Sequence, residues 1–173
     1  MATTAINKAP FEGDTRHADM LTVISRTADL MSNPRQARYW RGLASCARPV
    51  RVVSAYDVWP KAQVDMLRAA IRPAKQECYR TAFMLADLTG GRARYVEGQM
   101  WACVLGVDHA FNYIPERDVY VDFTAEFALG NDPAKEAYIA FRDFDLEQVM
   151  QIIVKNEYYG NIYNEVWLQE NKG

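Results

Sequence analysis

Between Glu77 and Phe123 the chain passes from a helical period to an extended one, and only a fold that lays a helix on a sheet accommodates both. Glu77 to Leu88 sets Ala82, Leu85 and Ala86 on one side at helical spacing, and Gly90-Gly91 closes the segment, because glycine accepts the left-handed backbone that ends helices. Three extended stretches follow, Ala93 to Gly98, His109 to Ile114 and Val119 to Phe123. The last two are joined by Pro115, Glu116, Arg117 and Asp118, which suit a hairpin turn. A helix followed by antiparallel strands is an α+β signature, with the helix packed on one face of a small antiparallel sheet.

Extra helices precede this block. Met20, Leu21, Ile24, Ala28 and Met31 recur at spacings of three and four, which predicts a packing helix from about Thr15 that stops before Asn33-Pro34. A second begins at Pro34, carries Tyr39, Trp40 and Leu43, and ends before Pro49. Val50, Val52 and Val53 read as a short strand or extended linker, and Tyr56 to Ala70 as a third helix before Pro73. Downstream, Pro133 to Ala140 and Asp145 to Lys155 are expected to be helical, and the tail with Tyr158, Tyr159, Tyr163 and Trp167 to pack back on the body as helix or loop. Residues 1–14 are small and polar and read as a flexible arm, so 1–173 is expected to be a single domain.

Half of the 173 residues are hydrophobic, enough for a core, while 20 basic against 22 acidic side chains leave a net charge of -2 and no general pull toward nucleic acid or anionic membrane. No basic start followed by an apolar run appears near the N-terminus, and no stretch is apolar enough to span a bilayer, so a cytoplasmic protein without membrane contact is expected. Cys46, Cys78 and Cys103 are an odd number without C-x-x-C spacing, which argues against disulfide pairing and a structural zinc site; no metal and no cofactor is expected. Free cysteines are commonly small core residues, and Cys46 and Cys103 read that way.

Cys78 is different because of where it falls. A cysteine nucleophile acts as its thiolate, and the first turn of a helix, with its unpaired N–H groups and macrodipole, favours a negative sulfur. His109 opens the second extended stretch and Asp122 lies in the third, so the hairpin between them can set a carboxylate beside an imidazole and fix its tautomer. Asp108 is the competing carboxylate, but strand alternation points it to the opposite face from His109. Gln76, two residues before the cysteine, is the candidate oxyanion-hole side chain beside the Cys78 backbone N–H.

The run Cys78-Tyr-Arg-Thr-Ala-Phe-Met-Leu-Ala, then Ala93-Arg-Tyr-Val-Glu-Gly98, then His109-Ala-Phe, then Val119-Tyr-Val-Asp122-Phe-Thr124 resembles the core of transglutaminase-like and papain-like proteins. That core runs cysteine helix, "ARYV-x-G" strand, "HAW" strand and "D-x-T" strand in the same order. The resemblance covers Gln76 to Phe127. It implies a catalytic core at 76–127 in which Cys78 attacks a carboxamide or peptide carbonyl to form a thioester, His109 moves the proton and Asp122 holds His109. Water as acceptor gives a peptidase, amidase or deamidase; an amine gives a transferase. The chain departs from the pattern twice. Glu77 replaces the Gly or Gln commonly next before the cysteine, and a carboxylate close to the sulfur disfavours a second negative charge; Phe111 replaces the more usual Trp.

Other features carry plainer readings. His17, between Arg16 and Asp19, is expected to be a solvated helix residue. Arg35, Arg38, Arg41, Arg48 and Arg51, with Tyr39 and Trp40 among them, form a basic aromatic run in which Arg38 and Arg41 would contact phosphate; a solvated face or an acidic protein partner is the alternative. Glu97 either lines the cleft and selects a basic or amide-bearing substrate or is an edge-strand charge. A protein or peptide substrate is therefore expected. The rival class is an inactive transglutaminase-like scaffold that binds protein or nucleic acid, favoured by Glu77.

Overall fold

The computed structural model describes residues 14–102, 104–160 and 162–171; the expected N-terminal arm, apart from Asp14, and Cys103 lie outside the described residues. In chain order the elements are α1 (Arg16–Leu30), α2 (Pro34–Cys46), β1 (Arg48–Val50), β2 (Val52–Val53), α3 (Ala55–Val58), α4 (Lys61–Ile71), α5 (Cys78–Leu88), β3 (Arg94–Ala102), β4 (Leu105–Ile114), β5 (Val119–Val121), β6 (Tyr138–Phe144), α6 (Leu146–Asn156) and α7 (Ile162–Glu170). The fold is α+β. Six strands form one sheet in the order β1-β6-β3-β4-β5-β2.

The sheet is antiparallel except at one edge, where β2 joins β5 in parallel, which corrects the expectation of a purely antiparallel sheet. Parallel neighbours need a long crossover, and the chain between β2 and β5 supplies it through α3, α4, α5 and the β3–β4 hairpin. The expected turn at 115–118 closes β4 on β5, with Arg117 N–H donating to the Ile114 carbonyl at 3.1 Å.

Pro133 to Ala140 is not a helix. Only Pro133–Lys135 makes a 3-10 turn, and Tyr138–Phe144 is the strand between β1 and β3. Its run Ala137-Tyr-Ile-Ala-Phe141 is buried throughout because both faces of this inner strand are covered. The expected helix over Tyr56 to Ala70 is divided at Pro60, which lies between α3 and α4 and cannot donate a helical hydrogen bond.

α1 buries His17, Met20, Ile24 and Ala28, a stripe at helical spacing that His17 heads. His17 is 4% exposed and its Nε2 accepts the Tyr138 backbone N–H at 3.3 Å, so it is a core residue rather than a solvated one. Burial pushes its imidazole below the ordinary histidine value, outweighing the attraction of Asp14. One core layer joins α1, α2, α5, α6 and α7 to Tyr95, Ala110, Ile139 and Phe141 of the sheet, and a second lies under α3 and α4 against Val119 and Val121. The alternate strand positions Val96, Phe111, Tyr120 and Tyr138 gather separately with Val50 and Val52.

Candidate active site

Cys78 is the first residue of α5, and the approach to it is tightly shaped. Gln76 has a left-handed backbone (φ 65°), and the Thr81 N–H donates to the Glu77 carbonyl at 2.8 Å to start the helix. Arg80 draws the Glu77 carboxylate aside: its Nε donates to Glu77 Oε2 at 2.6 Å, while the same guanidinium donates to the Ile71 and Arg72 carbonyls. Glu77 is thus paired with a local cation. The Gln76 residue is exposed.

His109 lies in β4 directly opposite Gly98 of β3, at the point where the β3–β6 register shifts between Glu97 and Gly98. A side chain at Gly98 would drive its Cβ into the Ile139 carbonyl oxygen, so the glycine of the "ARYV-x-G" stretch is fixed by the bulge. Asp122 follows the end of β5. Its Oδ1 accepts the N–H groups of Thr124 (2.9 Å) and Ala125 (3.0 Å), which folds the chain into the turn after the strand. Its Oδ2 accepts the Tyr138 hydroxyl at 3.0 Å and lies 2.6 Å from His109 Nε2.

Four hydrogen bonds therefore hold a carboxylate that is 1% exposed. Burial pushes the Asp122 carboxyl up, but the charge and hydrogen bond of His109, the Ala125 N–H and the Tyr138 hydroxyl outweigh it, and the group is held below its ordinary value. Burial likewise pushes His109 down, whereas the charge and hydrogen bond of Asp122 push it up. Cys78 pushes it up as well, and the net shift is upward. Both shifts favour imidazolium beside carboxylate. With Nε2 committed to Asp122, Nδ1 is the nitrogen left for the cysteine.

Cys78 is 8% exposed and His109 5%, so the group sits below the surface. Phe111 is roughly parallel to the imidazole (ring centroids 6.4 Å, 21° between planes) and Tyr138 stands 6.3 Å away on a tilt, giving apolar walls that keep water from the ion pair. The structure brings His109 and Asp122 into contact and sets Cys78 at the start of α5. Asp108 is exposed and accepts Gln99 Nε2 at 3.2 Å.

Sequence reasoning missed one polar residue here, Tyr138, and left another, Glu97, between two readings. Tyr138 was hidden in the segment expected to be helical, although the continuous apolar run around it is a buried-strand signal. Glu97 is not an edge charge, since β3 lies between β4 and β6. It is 6% exposed and accepts the N–H groups of Ile162 and Tyr163, both at 2.9 Å, and the Tyr95 hydroxyl at 2.9 Å, so it caps the start of α7.

Arg38 and Arg41 are exposed on α2, but the aromatic side chains between them face inward. Tyr39 packs edge-on against Trp167 (5.4 Å) and Tyr163 (5.8 Å) of α7, which removes it as a platform for stacking bases. Arg48 donates to the Tyr120 hydroxyl at 3.1 Å. Cys46 Sγ donates to the Leu43 carbonyl at 3.3 Å, and burial pushes its thiol up. Among the described residues no group of three or more His, Cys, Asp or Glu side chains is arranged to hold a metal ion, and no helix is long and apolar enough to cross a membrane.

Fold and site together define an α+β protein whose sheet buries a carboxylate–imidazole pair beside the leading cysteine of a helix. The chain matches no known family model, no curated protein and no solved structure.

Proposed function

We propose that this chain is a transglutaminase-like, papain-like cysteine enzyme that transfers an acyl group from a carboxamide or peptide bond through a thioester. The observation that carries the reading is the buried contact of 2.6 Å between His109 and Asp122, in a protein whose Cys78 leads α5. Cys78 reacts as its thiolate beside the His109 imidazolium, and the sulfur attacks the carbonyl carbon. As the tetrahedral intermediate collapses, the C–N bond breaks and the imidazolium proton passes to the departing nitrogen. Water then adds to the thioester, His109 takes its proton, and the sulfur leaves as thiolate. Asp122 stays ionised throughout and keeps the imidazole in register. The Cys78 backbone N–H and the Gln76 side chain are the proposed oxyanion donors. A protein or peptide substrate and a reducing, cytoplasmic setting fit a thiol nucleophile.

The low exposure of Cys78 and His109 favours the rival reading, a scaffold that binds without reacting. Iodoacetamide labelling followed residue by residue separates the two. The enzyme reading expects Cys78 to label faster than Cys46 near neutral pH and His109→Ala to slow it about tenfold or more. Labelling of Cys78 no faster than Cys46, or indifferent to His109→Ala, sinks the enzyme reading.

A further inference from the structure

On the helical side of the sheet lies a cavity of about 100 Å³ that the proposed chemistry leaves unused. Tyr39, Trp40, Tyr79 and Tyr163 supply aromatic walls, and Glu97 and Asp108 supply two carboxylates. No lysine or arginine is among its lining residues. Two of its wall residues adjoin the site along the backbone: Tyr79 follows Cys78 in α5, and Gly98 is paired with His109.

Glu97 accepts three hydrogen bonds, which leave one of its roughly four acceptor positions open; burial first, with Asp108 adding to it, pushes its carboxyl up against the pull of those bonds, and a cation in the cavity would draw it back down. Asp108 accepts one bond, from Gln99, and is otherwise exposed at the rim. Both charges are felt inside. Burial first, and then Asp108 and Glu97, push the Tyr39 phenol up; burial, Glu97 and Asp108 in that order do the same to Tyr79. Neutral aromatic faces with two carboxylates and no counter-cation form an environment that attracts a cation by ring quadrupole and by charge.

We propose that this cavity is a specificity subsite that takes the alkylammonium group of a lysine side chain on the acyl donor. Its size suits one ammonium head with its last methylene groups rather than a drug-sized ligand. Two flanking carboxylates keep the amine protonated, and an ammonium has no lone pair, so the bound group is a handle that positions the substrate and not the nucleophile that resolves the thioester. Its role as a substrate subsite rests on the acyl-transfer reading; cation binding itself does not.

The test uses the full chain carrying Cys78→Ala, with Nα-acetyl-lysine methylamide and its uncharged counterpart Nα-acetyl-norleucine methylamide titrated calorimetrically. The lysine compound is expected to bind at least about tenfold more tightly. Asp108→Asn, at an exposed position where the fold is retained, should weaken it by about two- to fivefold. Trp40→Leu should weaken it by about 2- to 30-fold in protein that near-UV circular dichroism shows to be folded. Equal binding of the two compounds, no binding of the lysine compound, or indifference to Asp108→Asn overturns the subsite. No reactive Cys78 is present in this experiment, so its failure leaves the labelling test intact, and failure of labelling leaves the cation result intact.

Discussion

Replacing Asp122 by Asn keeps the shape of the side chain and removes its charge. The amide oxygen can still accept the Thr124 and Ala125 N–H groups, but an NH₂ now stands where Oδ2 met the Tyr138 hydroxyl and His109 Nε2. Two charge-assisted hydrogen bonds are lost, each worth about 1.5–3 kcal/mol, and the hydroxyl recovers part by turning to accept. The imidazolium, 5% exposed, is left without its counter-charge. The expected loss is about 3–5 kcal/mol, the range for breaking one partner of a buried pair. Its pH dependence is the sharper test. His109 is raised in the folded state, so its contribution is complete below the ordinary value of 6.5 and is lost as pH rises through the raised value. Asp122 is lowered, so its contribution is present above 3.8 and is lost as pH falls through the lowered value. The stability gap between wild type and Asp122→Asn, from urea unfolding across pH, should therefore be widest between 3.8 and 6.5 and shrink on either side. A gap that stays level into the alkaline range, or a His109 resonance that titrates identically in both proteins, refutes the assignment of an ion pair.

Gly98→Ala places a Cβ against the Ile139 backbone, so a loss of about 3 kcal/mol or more is expected; a melting temperature equal to wild type would show that the bulge can yield. Arg80→Ala releases the Glu77 carboxylate beside the start of α5. Exposed pairs contribute about 0–1 kcal/mol, so stability should scarcely change, while iodoacetamide labelling of Cys78 slows several-fold and recovers when Glu77→Gln is added. Unchanged labelling in Arg80→Ala would remove Glu77 as an electrostatic influence on the sulfur.

What the sequence made legible follows local physics. The stripe from Met20 to Ala28, the proline opening α2, the glycines after α5 and the turn at 115–118 all act within a few residues, and each appears where its pattern puts it. The hairpin likewise brings His109 to Asp122, because their separation is set by two strands and one turn. The misreadings share the opposite character. Tyr138 to Phe141 has no alternation to mark it as a strand because both its neighbours and both its faces are protein, which depends on the whole sheet. Glu97 looks like an edge charge until α7 returns from the far end of the chain and sets two N–H groups on it. His17 is flanked by charges, and only its phase with Met20 and Ile24 shows that it points inward.

These misread residues bear on the reading of the site. A recognisable block from Gln76 to Phe127 contains the cysteine, the imidazole and the acid, yet the acid's fourth hydrogen bond comes from Tyr138, outside it. The Tyr138 backbone N–H is in turn held by His17 of α1. A path of hydrogen bonds thus runs from the first helix through β6 to Asp122 and on to His109. A buried ionised carboxylate persists only while its partners are in place, because each unmet lone pair would carry a desolvation cost. The helices ahead of the motif block and the strand behind it are therefore part of what keeps Asp122 charged, and the block does not hold its own acid by itself.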